Sequence, residues 1–199
     1  MSSSTAAWLL PDEPAPIRLM NTIWADTDGV HDDLKSQVAL REWLVCVYAD
    51  EQGDLDLPTR KELEEARQLR DSLRRLAAFC TDDDRPAARS PVDTVEEALK
   101  AVNHAVTHRP SVQLKLEEGL LCRDNPRQAS PARTALADLA VAAIELLTGP
   151  AAGKLRACHA PGCVLYFVKS HPRRQWCSDA CGNRARAARH YTKIRNLRD

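Results

Sequence analysis

At 199 residues the chain has room for one medium domain and a small appended module. With 44% hydrophobic and 28% charged residues it reads as a soluble globular protein, and no apolar run approaches the roughly 18 residues that a membrane-crossing helix needs. The formal net charge of zero hides a split: residues 150–199 carry 11 Lys and Arg against two Asp, a net +9, and the rest of the chain carries −9. So uneven a distribution implies different partners for the two parts, and a polyanion for the basic one. The first residues lack a basic n-region and a long apolar stretch, so they do not read as a secretory leader. The expected location is the cytoplasm. Thiols stay reduced there, so the seven cysteines are better read as packed side chains or metal ligands than as disulfides.

Residues 1–16, rich in Pro, Ser and Ala, read as a flexible arm. Ile17–Trp24 is an apolar stretch expected to be helical, and Asp26–Asp33 a polar loop whose carboxylate spacing does not fit an EF-hand. From Ser36 to about Asp50, Val38, Leu40, Trp43, Leu44, Val47 and Tyr48 recur at helical spacing. Thr59 with Glu62 forms a capping box that opens a long helix, whose apolar face is Leu63, Ala66, Leu69, Leu73, Leu76 and Phe79. Thr94 with Glu97 opens another, through about Thr107. Val112–Cys122 alternates loosely and fits a small hairpin around Glu117-Glu118-Gly119. Ser130-Pro131 starts a last helix that Gly149-Pro150 stops. Residues 17–149 are thus a mainly helical domain, expected to fold without metal. Cys46, Cys80 and Cys122 are scattered in it and read as packing residues. His104 and His108 lack a third ligand and read as a helix face.

The chemistry lies in residues 154–199. Cys158 and Cys163 flank a Pro-Gly turn, a knuckle in which both thiolates face one ion, and Cys177 and Cys181 follow shortly after. Ser178 suits an N-cap and Asp179 the positive end of a helix, which puts Cys181 in a first turn. Val164–Val168 reads as a strand and Arg173–Trp176 as its return. Knuckle, hairpin and helix describe a treble-clef-like finger in which Cys158, Cys163, Cys177 and Cys181 hold one structural Zn²⁺. A redox dithiol is the poorer reading, since neither pair is C-x-x-C. His159 and His171 stand outside a tetrahedron already filled. A module this small needs the metal to fold.

Trp176-Cys-Ser-Asp-Ala-Cys-Gly-Asn-Arg184 resembles the signature of the CGNR zinc-finger family, named for the residues that are here Cys181, Gly182, Asn183 and Arg184. Leu19-Met-Asn-Thr-Ile23 and the helical body resemble the ABATE domain that accompanies that finger in bacterial proteins described as stress-induced transcription regulators. The resemblance runs from about residue 17 to 197, sharp in the finger and diffuse in the body. Lys169-Ser170 departs from it, since many relatives look to have an acidic residue first, and makes this hairpin more basic. The resemblance implies DNA binding and favours DNA over RNA.

On a helix advancing about 100° per residue, Arg184 shares the metal-facing side with Cys181. Arg186, Arg189, His190 and Lys193 lie about 80–180° away, a cationic stripe without an acid that suits phosphates. Arg173 and Arg174 would extend it. Arg184 is expected to serve the knuckle or offset the tetrathiolate charge, and Asn183 sits at the rim. Gly182 implies close backbone approach, and Trp176 packing rather than base stacking. The function so implied is a DNA-binding transcription regulator in which the helical domain senses a small-molecule effector or mediates assembly. The other reading is protein docking, on an acidic partner or on the chain's own −9 body. No phosphate loop, nucleophile motif or open metal position points to an enzyme.

Overall fold

The computed structural model describes residues 10–48, 55–109, 111–124 and 129–195. Residues 1–9 of the expected arm and residues 196–199 of the expected finger lie outside these. The architecture is mainly helical, with short two-stranded hairpins and a C-terminal zinc finger.

The body's main helices begin where local chemistry starts them. Ser36 caps α2 (Gln37–Val47), accepting from Ala39 N at 3.2 Å. α3 (Arg60–Thr81) opens on the capping box, with Thr59 Oγ1 accepting from Glu62 N and Glu62 Oε2 from Thr59 N. Thr94 caps α4 (Val95–Val106), and Ser130 caps α5 (Pro131–Thr148). Glu62 is buried and also accepts from the Ser130 hydroxyl, which ties the starts of α3 and α5 together. Leu63, Ala66, Leu69, Leu73 and Leu76 of α3 are buried in a core shared with α4 and α5. Each buried leucine there contributes about 1.5–3 kcal/mol. Phe79 does not join them and is 63% exposed. The buried stripe of α3 turns instead through Arg70, Arg74 and Ala77.

Ile17–Trp24 is not one helix. α1 (Ala15–Met20) stops at Asn21, and β1 (Ile23–Ala25) pairs antiparallel with β2 (Val30–Asp32). The expected loop Asp26–Asp33 therefore supplies a strand, with Asp26 N donating to Gly29 O across the turn. Trp24 stacks on His31 at 4.3 Å and donates its Nε1 to Asp33 Oδ1. The hairpin expected near Val112–Cys122 is β3 (Gln113–Glu117) with β4 (Leu120–Asp124). The three scattered cysteines are not core residues: Cys80 is exposed, and Cys46 and Cys122 are half-buried.

In the finger, β5 (Leu155–Ala157) pairs with β6 (Tyr166–Val168), and α6 (Asp179–Arg195) closes the chain. The expected return strand Arg173–Trp176 does not form. Side chains occupy the edge of β6 that it would need. Asn21 pairs with both N–H and C=O of Tyr166, Glu13 accepts from Val168 N, and Arg174 donates to Val168 O. Residues 10–16 are accordingly no loose arm, because the Glu13 side chain is 3% exposed against the finger. Nor is the finger an appendage. Leu155, Ala157 and Tyr166 belong to the same buried core as Ile17, Leu69 and Leu139.

Candidate metal centre

The knuckle is made by backbone geometry. Cys158 follows β5, Gly162 takes a positive φ of 72°, and Cys163 N donates to Ala160 O at 2.9 Å, which turns the second thiol back beside the first. Across from it, Ser178 Oγ accepts from Cys181 N at 3.3 Å and sets Cys181 in the first turn of α6. All four cysteines are buried, and their sulfurs lie within 4.8 Å of one another. Cys163 and Cys177 are 3.8 Å apart, Cys177 and Cys181 3.4 Å. Tetrahedral Zn²⁺ with bonds of about 2.3 Å needs sulfurs about 3.8 Å apart. The four thiolates fit one structural Zn²⁺ with no position open to substrate. Among the described residues no other set of three or more His, Cys, Asp or Glu could hold a metal. His104 and His108 meet edge to face at 5.0 Å without a third ligand, and His159 and His171 are exposed.

The signature residues surround this centre. Arg184 Nη2 donates to Cys181 Sγ at 3.0 Å, which places a cation beside a site that carries net negative charge with zinc bound. A Cβ added at Gly182 would stand 3.1 Å from Trp176 Cδ1, so the glycine lets the indole lie against α6. Trp176 packs on a second core of Ala88, Val164, Leu165, Phe167 and the cysteines.

The body supplies what local spacing does not reveal. Arg85, in the loop after α3, donates Nη1 to the carbonyls of both Cys158 and Cys163, at 2.5 Å each. Asp83 grips the same guanidinium through both oxygens and accepts from Tyr166 Oη at 2.8 Å. Burial pushes the Asp83 carboxyl up, but the hydrogen bonds from Arg85 and Tyr166 outweigh it and hold the pKa at about 2. With its folded pKa depressed, this carboxylate stabilises the protein fully above about pH 4, and the contribution fades as pH falls towards 2. Arg74 donates to Val164 O from inside the core. Tyr166 stood in the expected strand Val164–Val168 and Arg74 in the expected long helix, but no local pattern marked Asp83 or Arg85 as partners of the knuckle. For Arg85→Ala we expect zinc affinity to fall about 10–100-fold with all four ligands intact. Chelator competition measures this, and parental affinity would show that the carbonyl clamp does not steady the knuckle.

Arg186, Arg189, His190 and Lys193 are exposed along α6, and Arg173 is exposed beside its start. Arg186 also donates to Asn183 Oδ1. Arg174 leaves the stripe. It pairs with Glu13 at 2.7 Å, donates to Val168 O and Cys177 O, and lies 4.8 Å from the Phe167 ring centroid. Among the described residues the stripe is not buried against the body: Arg186, Arg189, His190 and Lys193 all stay exposed, while the finger meets the body through β5, β6 and the knuckle carbonyls. A cleft of about 690 Å³ between Leu10–Glu13 and the finger is lined by Arg173, Trp176 and Arg186.

Residues 13–150 match the ABATE family model, described as "Putative stress-induced transcription regulator", and residues 154–193 match the CGNR zinc finger. No curated protein matches the chain. Among the described residues no helix is long and apolar enough to cross a membrane.

Proposed function

The chain belongs to the ABATE family and ends in a CGNR zinc finger, and from that premise we propose that it is a cytoplasmic DNA-binding transcription regulator rather than an enzyme. The observation that carries this reading is the exposure of Arg186, Arg189, His190 and Lys193 on one face of α6, with no acid among them. Zinc holds the first turn of that helix and the body holds the knuckle, so the cations stand on a rigid base. Duplex phosphates would release counterions on meeting such a face. Arg173 extends the contact at the start of α6, and Trp176 and Arg184 serve the centre rather than the bases. In the same reading the helical domain mediates assembly or takes a small effector in the groove of about 280 Å³ between α3 and α4, where Leu69, Ala101, Ala105 and Leu136 form the apolar floor and Lys61, Glu64, Glu65, Gln68, His104 and His108 the rest of the lining.

Single substitutions Arg186→Ala, Arg189→Ala and Lys193→Ala should each weaken duplex binding across unrelated sequences. Each should also flatten the plot of log affinity against log salt by about one unit of slope. Arg184→Ala should instead lower zinc retention more than the salt slope. Zinc content checks folding independently. Folded stripe variants that bind like the parent would move the stripe's partner from DNA to an acidic protein.

A further inference from the structure

The β3–β4 hairpin projects from the body with an apolar face that nothing among the described residues covers. Its register sets Leu114 opposite Arg123 and Leu116 opposite Leu121, so these four side chains share one face. Leu114, Leu116 and Leu121 are 78%, 68% and 75% exposed, and every residue of β3 is exposed. The turn at Glu118-Gly119 takes positive φ at both residues, as a two-residue hairpin requires. A lone two-stranded hairpin is at best marginally stable in water, and a contiguous exposed apolar patch marks an interaction surface.

We propose that this face is a homodimer contact, in which the hairpins of two copies pack face to face about a two-fold axis through the Leu116–Leu121 pair. The charges at its two ends choose the occupant. Arg123 lies towards the root of the face and Glu118 at its tip, about equally far from Leu116 along the strands. A two-fold axis there reverses one hairpin on the other, so Arg123 of each copy meets Glu118 of the second copy and the leucines fill the centre. A polyanion would require a net positive face, and here the two charges balance. Two five-residue strands per copy bury about 1,000 Å² in total, the low end for a specific interface, so the dimer is expected to dissociate in the micromolar range. The inference does not depend on DNA binding, although it would present two cationic helices at once.

Sedimentation of the full-length, zinc-loaded protein from about 1 to about 100 μM tests it. The parent should pass from monomer to dimer over that range. Leu116→Lys should remain monomeric with unchanged zinc content. Arg123→Glu and Glu118→Arg should each weaken association at least about tenfold, and the double exchange should restore it. A parent that stays monomeric throughout overturns the proposal, as does a dimer indifferent to Leu116→Lys or a double exchange no better than the single ones.

Discussion

Replacing Cys177 with Ser, or stripping zinc with a chelator, is expected to unfold the helical body together with the finger. Structural zinc binding is worth about 10–16 kcal/mol in isolated finger peptides, and three thiolates hold the ion far less well than four. In this fold the loss does not stay local. Leu155, Ala157 and Tyr166 leave the main core when the finger opens. Asn21 loses both of its bonds to Tyr166, Arg85 loses the carbonyls of Cys158 and Cys163, and buried Glu13 loses Val168 N and Arg174. Each is then a buried polar or charged group without its partner, at about 1–3 kcal/mol apiece. Domains of this size hold only about 5–15 kcal/mol in all, so this loss, added to that of Leu155, Ala157 and Tyr166 from the core, is comparable with the whole stability of the body. Far-UV helicity and zinc release should follow one cooperative transition, shifted far below the parent's melting temperature. A body that melts at the parental temperature after losing its finger would show two independent units, which the shared core argues against.

Arg74→Met should be the most damaging substitution outside the zinc ligands, costing at least about 3 kcal/mol for three buried carbonyls at about 1–3 kcal/mol each. The Arg74 side chain is 2% exposed and has no carboxylate in ion-pair contact among the described residues. Its guanidinium donates Nη1 to Met20 O at 3.0 Å and Nη2 to Ala88 O and Val164 O at 3.2 Å each, with the Tyr166 ring 5.3 Å from Cζ. One side chain thus holds the end of α1, the turn Pro86–Ala88 and the segment that leads from the knuckle into β6. Burial pushes its pKa down, and the three carbonyls and the ring face compensate the cation where water cannot. Methionine matches the length but leaves three carbonyls buried without donors. Lysine, a point charge lacking the planar fork, should recover only part of the loss. Urea titration should show the midpoint falling with an unchanged slope, and a methionine variant as stable as the parent would mean that those carbonyls find other donors.

What the amino-acid sequence determined by itself is what a few neighbouring residues can decide. Thr59, Thr94 and Ser130 start helices because their side chains bond N–H groups three positions ahead. The paired cysteines announce zinc because a knuckle and a first helical turn lie within one short segment. Helical spacing alone separated Arg184, on the sulfur of Cys181, from the exposed Arg186, Arg189 and Lys193. The tertiary structure decided everything that depends on groups far apart in the chain. Arg174 looked like its neighbour Arg173 until Glu13, from the opposite end, took it. Phe79 followed the period of α3 but missed the core, because the buried stripe passes through Arg74 and Ala77 instead. Arg85 reaches the knuckle across 73 residues and Glu13 reaches Val168 across 155. No local pattern marks such partners, since a side chain's reach is short in space and has no fixed relation to distance along the chain. The same cause joined the body and the finger. Only the folded chain brings the polar edge of β6 to Asn21, Glu13 and Arg174, and that edge makes one structure of two sequence segments.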